Sequence, residues 1–428
     1  MLRLYKELPE FGGFLAFDTI SGSLSTIDEK KFKELEKQTP AGHCFYGNSS
    51  THTSFFRRAY FQITRRCNLL CDHCFIKADP YQSDLEVHVP YQSDLEVHVI
   101  DRLTEYLGRK GLMEVRLSGG EPTIHKDFIH VAENFMKNNI YVSVGTNGLW
   151  PKKVLEYFKS QKNIWLVVSI EGNEGTHNAI RPNSYSTIIK NLTELRKANP
   201  YFRLRINMVL CRKNLKDLEH MAKLTQQFEA ESVVLIPLRA QVRTKAYLDN
   251  MLSGQEFCQA IQQMVTYKEK YGIKFSTTVK HYARKHIVMD ELFTKTSSCA
   301  AGREGTNIDF DASKRIFRLY GCSYCPASDP KVPEALRAPF TAGEVAYDDL
   351  DSIERIWNDD NRWAIFRDLS HKADDCRSCE YFPGYCEGSC PTLNFDISQL
   401  DLNKNVAAQL KQQLRKNGEW YCYKKLKI

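Results

Sequence analysis

Cys67, Cys71 and Cys74 lie within one eight-residue stretch and are separated by three and two residues. Thiols at such short spacing are typical of metal ligands. A structural zinc ion needs four ligands, and His73 adjoins Cys74 too closely for both residues to reach one ion. Three thiolates instead suit a [4Fe–4S] cluster in which one iron has no protein ligand. A small molecule can chelate that open iron.

The other cysteines divide into clustered and isolated ones. Eight of the 14 cysteines occur late in the chain at spacings that also indicate metal binding. These eight are Cys299, Cys322, Cys325, Cys376, Cys379, Cys386, Cys390 and Cys422. Three more stand alone, which is typical of buried small hydrophobic residues. These three are Cys44, Cys211 and Cys258.

The composition excludes several classes of protein. Of the 428 residues, 42% are hydrophobic and 26% charged, as in ordinary globular proteins. Apolar runs such as Ile164–Val168 are far shorter than the ~20 residues of a membrane helix. Without a secretion signal, a cytoplasmic location with reduced thiols is expected. The net charge is +7. The basic stretches Lys30–Lys33 and Lys424–Lys427 lack interleaved aromatic residues, so they indicate a solvated face, and a nucleic-acid partner is not expected.

Strands and helices alternate between about residues 56 and 290. The strands are predicted at Tyr60–Thr64, Glu114–Leu117, Tyr141–Gly145, Ile164–Ile170, Arg203–Val209 and Ser232–Ile236. The helices are predicted at Ile100–Gly108, Lys126–Asn138, Lys152–Lys159, Ser186–Asn199, Leu215–Phe228 and Ser253–Tyr271. Six such units imply a parallel sheet with right-handed crossovers, and we expect a partial (β/α)6 barrel of the TIM type. Active sites on such folds lie at the carboxyl ends of the strands, where the cysteine group and several glycine motifs occur.

Smaller pieces flank this α/β domain. Residues 1–55 are predicted to form a small α+β segment, with strands at Phe14–Thr19 and Ser23–Ile27, a helix at Asp28–Gln38 and a polar linker over Gly42–Ser54. Residues 291–428 are predicted to form an irregular cysteine-rich domain. It should contain a hairpin of Thr306–Phe310 and Arg315–Leu319, an irregular stretch over Pro326–Phe340, and helices at Ser352–Asp368 and Asn405–Arg415.

Ten residues are repeated without change, as Pro80–Val89 and Pro90–Val99. Two copies are too few for a solenoid. We interpret the repeat as a duplication in a surface segment that tolerates insertion, and we do not expect its histidines, His88 and His98, to be ligands.

The cysteine spacing after a first strand resembles the signature of the radical S-adenosylmethionine (SAM) enzymes, and the resemblance covers roughly residues 56–290. Gly119, Gly120, Glu121 and Pro122 look like the motif that ends the family's second strand, where the backbone meets the methionine amino group. Glycine permits such close approach. Asn147, within Thr146–Gly148, is similar to the motif that ends the third strand.

Further residues resemble the family's SAM contacts at the later strands. The resemblance implies that Ser169, Glu171 and Arg181 provide polar contacts to the ribose and carboxylate. It places His73 beside the adenine and Asn207 and Leu210 at the wall that packs against it. In this family, a reduced [4Fe–4S] cluster cleaves SAM to a 5′-deoxyadenosyl radical, which takes a hydrogen atom from the substrate.

The late cysteines resemble the SPASM extension, which holds two auxiliary [4Fe–4S] clusters in maturases of peptides and proteins. The resemblance implies one cluster on Cys376, Cys379, Cys386 and Cys422. It implies another on Cys299, Cys322 and Cys390, with Cys325 as the candidate fourth ligand. The middle gap of the main run is one residue longer than in the family, and Phe317 stands where the family has a glycine. A pair of structural zinc sites is the alternative for these cysteines.

These features predict a radical SAM enzyme that crosslinks or oxidises a side chain of a peptide or protein. The resemblance implies a flavodoxin or ferredoxin as electron donor. One alternative is a radical SAM enzyme that acts on a small molecule in cofactor or natural-product biosynthesis. Another is a non-catalytic zinc or electron-transfer protein, which the three-cysteine site with its open iron disfavours.

Overall fold

The structure is a computed structural model that describes residues 1–74, 79–80, 94–238, 249–278, 299–329, 332–382, 386, 388, 390–392 and 399–416. Within these residues the early strands are β1 (Leu2–Lys6), β2 (Phe14–Asp18), β3 (Ser23–Ile27), β4 (Cys44–Tyr46), β5 (Arg58–Thr64), β6 (Arg66–Cys67), β7 (Asp79–Pro80) and β8 (Glu114–Gly119). The later strands are β9 (Tyr141–Thr146), β10 (Ile164–Ser169), β11 (Arg203–Leu210), β12 (Ser232–Pro237), β13 (Phe275–Thr277), β14 (Gly305–Asp311), β15 (Ile316–Tyr320) and β16 (Thr341–Ala346).

Helices follow most of the parallel strands. The early helices are α1 (Glu29–Glu36), α2 (Val97–Arg109), α3 (Phe128–Lys137), α4 (Lys152–Ser160), α5 (Glu174–Ile180), α6 (Tyr185–Ala198) and α7 (Leu218–Gln227). The later ones are α8 (Gly254–Tyr271), α9 (Glu334–Arg337), α10 (Ser352–Trp357), α11 (Ala364–Arg367), α12 (Asp374–Arg377) and α13 (Val406–Lys416). Short 3₁₀ turns occupy Pro9–Phe11, Pro122–Ile124, Arg212–Asp217, Pro326–Ser328, Ala338–Phe340 and Leu369–His371.

The chain forms two compact units, each assembled from separate segments. The first unit comprises Met1–Arg66, Gln82–Ser143 and Asp290–Leu369. The second comprises Cys67–Tyr81, Val144–Met289 and Ser370–Ile428.

In the first unit, β5 lies between β8 and β14 and runs parallel to both. Strands β15 and β16 continue from β14 as an antiparallel meander. In the second unit, β10, β11, β12 and β13 follow one another in parallel register. The six predicted strands and six predicted helices are therefore confirmed, with bounds that differ by a few residues. Strand β13 continues the parallel series and was not predicted. It has only three residues, which is too short for a recognisable strand pattern.

The N-terminal residues form a four-stranded sheet in the order β3-β2-β1-β4, with α1 packed on it through the buried Phe32. The predicted hairpin and helix are confirmed. One expectation was wrong, because Cys44–Tyr46 is a strand inside the segment predicted as a linker, and it pairs parallel to Leu2–Lys6. Leu2–Lys6 is a further strand that was not predicted, and Arg3 explains this omission. Its guanidinium is buried because it donates to the carbonyls of Gly108 and Leu112, at 2.7 and 2.9 Å.

The late residues of the first unit also combine confirmed and wrong predictions. The hairpin β14–β15 is confirmed, and Asp311 stabilises its turn by accepting the backbone N–H groups of Ser313 and Lys314. The stretch predicted as irregular contains the short helix α9. The single helix predicted over Ser352–Asp368 is instead two helices, α10 and α11. They are separated by a turn in which Arg362 donates its backbone N–H to the carbonyl of Asp359.

The second copy of the repeat is anchored by its two middle residues, Asp94 and Leu95. Asp94 accepts hydrogen bonds from the side chains of Thr64 and Arg66, and the backbone N–H of Leu95 donates to Ile63. Helix α2 begins at Val97, inside this copy. The first copy, apart from Pro80, lies outside the described residues, as does His88. No helix among the residues that the structure describes is long and apolar enough to cross a membrane.

Candidate functional site

The three-cysteine loop begins where β6 ends in the second unit. Cys67 is buried, Cys71 and Cys74 are partly buried, and none of the three is in a disulfide bond. The backbone N–H of Cys74 donates to the carbonyl of Cys71 at 3.1 Å, which closes a tight turn. The backbone N–H of Asp72 donates to the carbonyl of Ile180 at 3.0 Å, which fastens the turn to the end of α5. Three reduced thiols held on one loop are a donor set that fits an iron–sulfur cluster.

Two asparagine side chains support the first cysteine. The amide nitrogen of Asn147 lies 2.7 Å from the side-chain oxygen of Asn68 and 3.9 Å from the sulfur of Cys67. The oxygen of Asn147 accepts the backbone N–H of Leu149 at 2.9 Å, and Asn68 donates to the carbonyl of Leu149 at 3.0 Å. The Asn147 amide is therefore fixed with its N–H groups toward the loop. Sequence reasoning selected Asn147 and missed Asn68, although Asn68 directly follows Cys67.

Glu171 and Arg181 form an ion pair beside Cys71 and His73 of the cysteine loop. The Nε of Arg181 donates to Oε1 of Glu171 at 2.7 Å, and its Nη1 lies 3.6 Å from the sulfur of Cys71. The Nη2 of Arg181 lies 3.3 Å from Nε2 of His73, and that ring nitrogen is 3.2 Å from Oε1 of Glu171. The other oxygen of Glu171 accepts the backbone N–H of Val209 at 2.7 Å. These contacts join the cysteine loop to α5 and β11.

Electrostatics keep this pair charged. Burial alone would raise the pKa of Glu171, but the charge of Arg181 and the hydrogen bonds from Arg181 and His73 lower it to about 2. Burial would lower the pKa of Arg181, but the attractions of Glu171, Cys71 and Cys74 together outweigh it and raise that pKa. Burial raises the pKa of the Cys71 thiol, and the nearby Arg181 opposes that rise. A bound metal would favour the thiolate directly.

His177 and Ser184 hold the end of α5 in place. His177 is fully buried, and its Nδ1 accepts the backbone N–H of Glu171 at 3.1 Å. Its Nε2 lies 2.9 Å from the Ser184 hydroxyl, which donates to the carbonyl of Arg181 at 2.7 Å. Burial first, and the charge of Arg181 second, lower the pKa of His177 to about 4. The ring is therefore neutral at physiological pH. Sequence reasoning missed this histidine as a site residue, although it lies only four residues before Arg181, which was expected at the site.

In the first unit, the glycine motif ends β8 beside the segment that leads into β6. A Cβ on Gly119 would lie 2.2 Å from the carbonyl oxygen of Thr64, and one on Gly120 would lie 2.0 Å from that of Arg66. Gly119 also has a φ of +142°, which side chains disfavour. The N–H groups of Gly120 and Glu121 donate to the same two carbonyls at 2.9 and 2.8 Å. Close approach of the chain to itself thus already requires both glycines.

Glu121 and Pro122 begin a 3₁₀ turn directly after this motif. The Glu121 side chain is buried and accepts from both the backbone N–H and the hydroxyl of Thr123. It therefore caps the turn, as an acidic or hydroxyl side chain does at a helix start. Pro122 is buried at the first position of the turn, where its missing N–H costs nothing.

The residues assigned to the ribose and adenine do not share one face of the sheet. Ser169, at the end of β10, is directly opposite Asn207 of β11, and both side chains are partly exposed. Leu210 is fully buried and stands an odd number of residues from Asn207. Since successive side chains of a strand alternate, Leu210 faces the opposite side of β11. The structure brings Ser169 and Asn207 together and places Leu210 in the apolar core.

Two late cysteines lie in one turn of the first unit. Cys322 and Cys325 follow β15, and the backbone N–H of Cys325 donates to the carbonyl of Cys322 at 3.1 Å. Cys325 is fully buried, and burial raises the pKa of its thiol. Cys299 is exposed.

Four more cysteines lie in the second unit. Cys376 and Cys379 share the turn at α12, where the N–H of Cys379 donates to the carbonyl of Cys376 at 3.0 Å. A Cβ on Gly388, which lies between Cys386 and Cys390, would come within 3.0 Å of the Cβ of Cys376. That glycine therefore lets the two parts of the cysteine run approach each other. Cys422, an expected ligand, lies outside the described residues.

Among the residues that the structure describes, no three histidine, cysteine or acidic side chains converge as the ligands of a single metal ion would. In an iron–sulfur cluster, by contrast, each cysteine binds a different iron.

Comparison with known proteins places these motifs in a family. The profile of the radical SAM superfamily matches residues 61–225, which include the three-cysteine loop, the glycine motif, Glu171 and Arg181. The mycofactocin maturase MftC of Mycolicibacterium smegmatis is 23% identical over 343 residues, and the similarity covers 78% of each protein.

Two solved structures share the fold over most of the chain. SuiB of Streptococcus suis, bound to its precursor peptide SuiA, has a TM-score of 0.66 at 15% identity, covering 93% of this chain and 98% of SuiB. The protein anSMEcpe, with bound AdoMet and the Cp18Cys peptide, has a TM-score of 0.58 at 17% identity, covering 86% of this chain and 97% of anSMEcpe. The expected α/β fold, a partial barrel with a cysteine-rich C-terminal region, is thereby confirmed. Residues 61–225 of this chain are a domain of the radical SAM superfamily.

Proposed function

We propose that this protein is a radical SAM enzyme that abstracts a hydrogen atom from a peptide or protein substrate and thereby crosslinks or oxidises one of its side chains. The observation that carries the proposal is the three-cysteine loop, held in the radical SAM domain by the buried Glu171–Arg181 pair. A bound [4Fe–4S] cluster and SAM would supply the 5′-deoxyadenosyl radical that takes the hydrogen atom.

The residues of the chain would hold these groups as follows. Cys67, Cys71 and Cys74 would bind the cluster through their thiolates. The proposed SAM contacts are the partly exposed Gly119 and Gly120 together with Ser169 and Asn207, which are also partly exposed and pair in register on neighbouring strands. Glu121, Pro122, Asn147, His73, Glu171 and Arg181 would position this site, because each is occupied by contacts within the chain or built into a turn.

The peptide substrate is supported by the extent of the similarity. It reaches well beyond the matched radical SAM domain, into the cysteine-rich region, for both MftC and SuiB. SuiB and anSMEcpe have been solved with peptides bound. The N-terminal sheet, whose edge strand β3 is largely exposed, provides a surface on which part of such a peptide could lie. An extended peptide can add to a sheet edge through main-chain hydrogen bonds.

Two auxiliary [4Fe–4S] clusters belong to the proposal. The turn at Cys376 and Cys379, closed by Gly388, supports one of them together with Cys386 and Cys422. The turn at Cys322 and Cys325 supports the other, together with Cys299 and Cys390. Such clusters would accept the electron left on the substrate, or they would bind the substrate directly. A flavodoxin or ferredoxin in the cytoplasm would reduce the cluster on Cys67, Cys71 and Cys74.

Anaerobic purification and co-expression test the proposal. The protein should contain iron and sulfide and cleave SAM when reduced, whereas Cys67→Ala should abolish cleavage and retain the iron of the auxiliary clusters. Cys44→Ala, which alters an isolated cysteine of the N-terminal sheet, is the matched control and should cleave SAM normally. Mass spectrometry of a peptide encoded beside the gene should show a loss of hydrogen after co-expression. A colourless protein without iron would refute the proposal, and conversion of a small metabolite instead would favour the small-molecule alternative.

A further inference from the structure

Three polar groups of the second unit surround the Arg181 side chain, and two of them accept its hydrogen bonds. Its Nε donates to Glu171 at 2.7 Å, its Nη1 lies 3.6 Å from the sulfur of Cys71, and its Nη2 lies 3.3 Å from His73. The side chain is only 12% exposed. A planar guanidinium with its donors engaged in this way is pre-organised. It has little freedom left to turn toward a ligand.

Glu171 fixes the direction in which Arg181 points. One carboxylate oxygen takes the Nε of Arg181, and the other accepts the backbone N–H of Val209 in β11 at 2.7 Å. The carboxylate is fully buried, so a change in its position would break a bond to the sheet as well as the ion pair. The guanidinium is thus held from one side by the sheet and presents its Nη groups to the cysteine loop.

The end of α5 also contacts the same loop through the backbone. The backbone N–H of Asp72 donates to the carbonyl of Ile180, the residue before Arg181, at 3.0 Å. Ile180 is itself buried in a small apolar cluster with Cys211, Leu238 and Met251. One backbone contact and one charged side chain from adjacent residues therefore hold the segment Cys71–Cys74.

A cation beside a cluster ligand has a defined redox effect. Adding an electron makes an iron–sulfur cluster more negative, so a fixed positive charge stabilises the reduced state more than the oxidised state. Hydrogen bonds to the ligand sulfurs and the net charge are among the factors that set the reduction potentials of such clusters. At 3.6 Å and largely buried, Arg181 is poorly screened by solvent. Its removal would therefore lower the reduction potential.

We propose that Arg181, braced by Glu171, is a positioning residue that fixes the loop Cys71–Cys74 and raises the reduction potential of the cluster bound there. This inference rests on the proposed function, because it requires that Cys71 is a cluster ligand. It replaces the role that family resemblance implies for Arg181, a direct contact to the SAM carboxylate, with a role toward the cluster.

The test compares Arg181→Met, Arg181→Lys and Glu171→Gln with the wild type in anaerobically purified full-length protein. Arg212→Met is the matched control, since it removes a different arginine–glutamate pair of the same unit, the exposed one with Glu256. Reduction is followed by potentiometric electron paramagnetic resonance. The cluster with the open iron is recognised as the one whose signal changes when SAM is added. SAM affinity is measured separately by equilibrium binding.

The expected result is a lower reduction potential in Arg181→Met, seen as a severalfold smaller reduced fraction at a fixed applied potential. Arg181→Lys, which keeps the charge, should restore most of that fraction, and Arg212→Met should match the wild type. Glu171→Gln removes a negative charge beside Arg181 and leaves the arginine in place, so its potential should not fall as that of Arg181→Met does. An unchanged potential together with severalfold weaker SAM binding in Arg181→Met would overturn the inference and restore the direct contact.

Hydrogen exchange at the Asp72 amide provides a readout that needs no metal. The exchange should be severalfold faster in Arg181→Met and Arg181→Lys than in Arg212→Met. Neither methionine nor lysine can reproduce the contacts that the guanidinium makes with Glu171 and Cys71. Unchanged exchange in both Arg181 variants would overturn the positioning role. A wild-type protein without a SAM-responsive cluster would refute the proposed function instead, and the exchange measurement would still decide whether Arg181 holds the loop.

Discussion

Glu171 accepts a hydrogen bond of 2.7 Å from Arg181, and the two form a buried ion pair. The Glu171 side chain is 0% exposed and the Arg181 side chain is 12% exposed. Removing one partner of such a pair leaves the other charge buried and uncompensated, which costs about 3–5 kcal/mol. We therefore expect Glu171→Ala to lower the free energy of unfolding by roughly that amount, as measured by urea denaturation.

Glu171→Gln keeps the shape and an acceptor for Arg181, so its loss should be clearly smaller. Glu29→Ala, which breaks the exposed pair with Lys33, is the control and should lower the free energy of unfolding far less. Equal losses in Glu171→Ala and Glu29→Ala would contradict the assignment of a buried, structurally important pair.

The pH dependence of stability should reveal His177. Burial and Arg181 lower its pKa to about 4, whereas an unfolded histidine has a pKa of about 6.5. Between these values the unfolded chain binds the proton and the folded chain does not, so acid favours unfolding. Stability should fall as the pH drops from about 7 to 5, by up to about 2 kcal/mol from this residue.

His177→Gln cannot take up a proton and should flatten the decrease between pH 7 and 5. His130→Gln is the control, because His130 is exposed and pairs with Asp101 at the surface. Urea midpoints at several pH values measure both variants. If the His177→Gln midpoints decline with acid as steeply as those of the wild type, the neutral buried state of His177 is wrong.

The sequence predicted the parallel strands and their helices because buried runs such as Ile164–Ser169 alternate with amphipathic segments over many residues. It could not predict β1 or β4, since Arg3 gives the first strand a surface-like pattern until its partners Gly108 and Leu112 are known. These contacts join residues more than 100 positions apart.

At the site, the sequence predicted which residues take part but not what each of them contacts. Motif resemblance selected Glu171 and Arg181, yet the carboxylate contact with Val209 and the arginine contact with Cys71 depend on how α5 ends. The side chains of Asn207 and Leu210 lie on opposite faces of β11. A sequence motif that contains both residues does not show this difference.

The glycine motif should be intolerant of any side chain. A Cβ at Gly119 or Gly120 would lie 2.2 or 2.0 Å from a backbone oxygen, and backbone cannot yield as a flexible side chain does. We expect Gly119→Ala and Gly120→Ala each to destabilise the protein by about 2–4 kcal/mol, because overpacking shifts the β5 end. Thermal unfolding of the purified variants measures the loss.

Gly175→Ala is the matched control for these substitutions. The nearest atom to its Cβ would be the Asn173 side-chain oxygen at 3.5 Å, and alanine favours helix α5. Its stability should equal or exceed that of the wild type. Wild-type stability in Gly119→Ala would show that the strand ends are further apart than described, and that the glycines serve a ligand alone.

The repeated decapeptide should be removable. The contacts that the structure describes, from Thr64 and Arg66 to Asp94 and from Ile63 to Leu95, all involve the second copy. Because the copies are identical, deleting residues 80–89 leaves the same anchor sequence before α2. The segment from Cys74 to Asp94 becomes half as long, which favours folding by only about 0.6 kcal/mol. The single-copy protein should therefore match the wild type within about 1 kcal/mol in urea denaturation.

Asp94→Ala should be the more damaging change in the same assay. It leaves the partly buried Arg66 without its carboxylate partner and removes the acceptor of Thr64, which together cost about 1–3 kcal/mol. If the deletion instead costs more than Asp94→Ala, the first copy contributes contacts of its own, and the interpretation as a tolerated duplication is wrong.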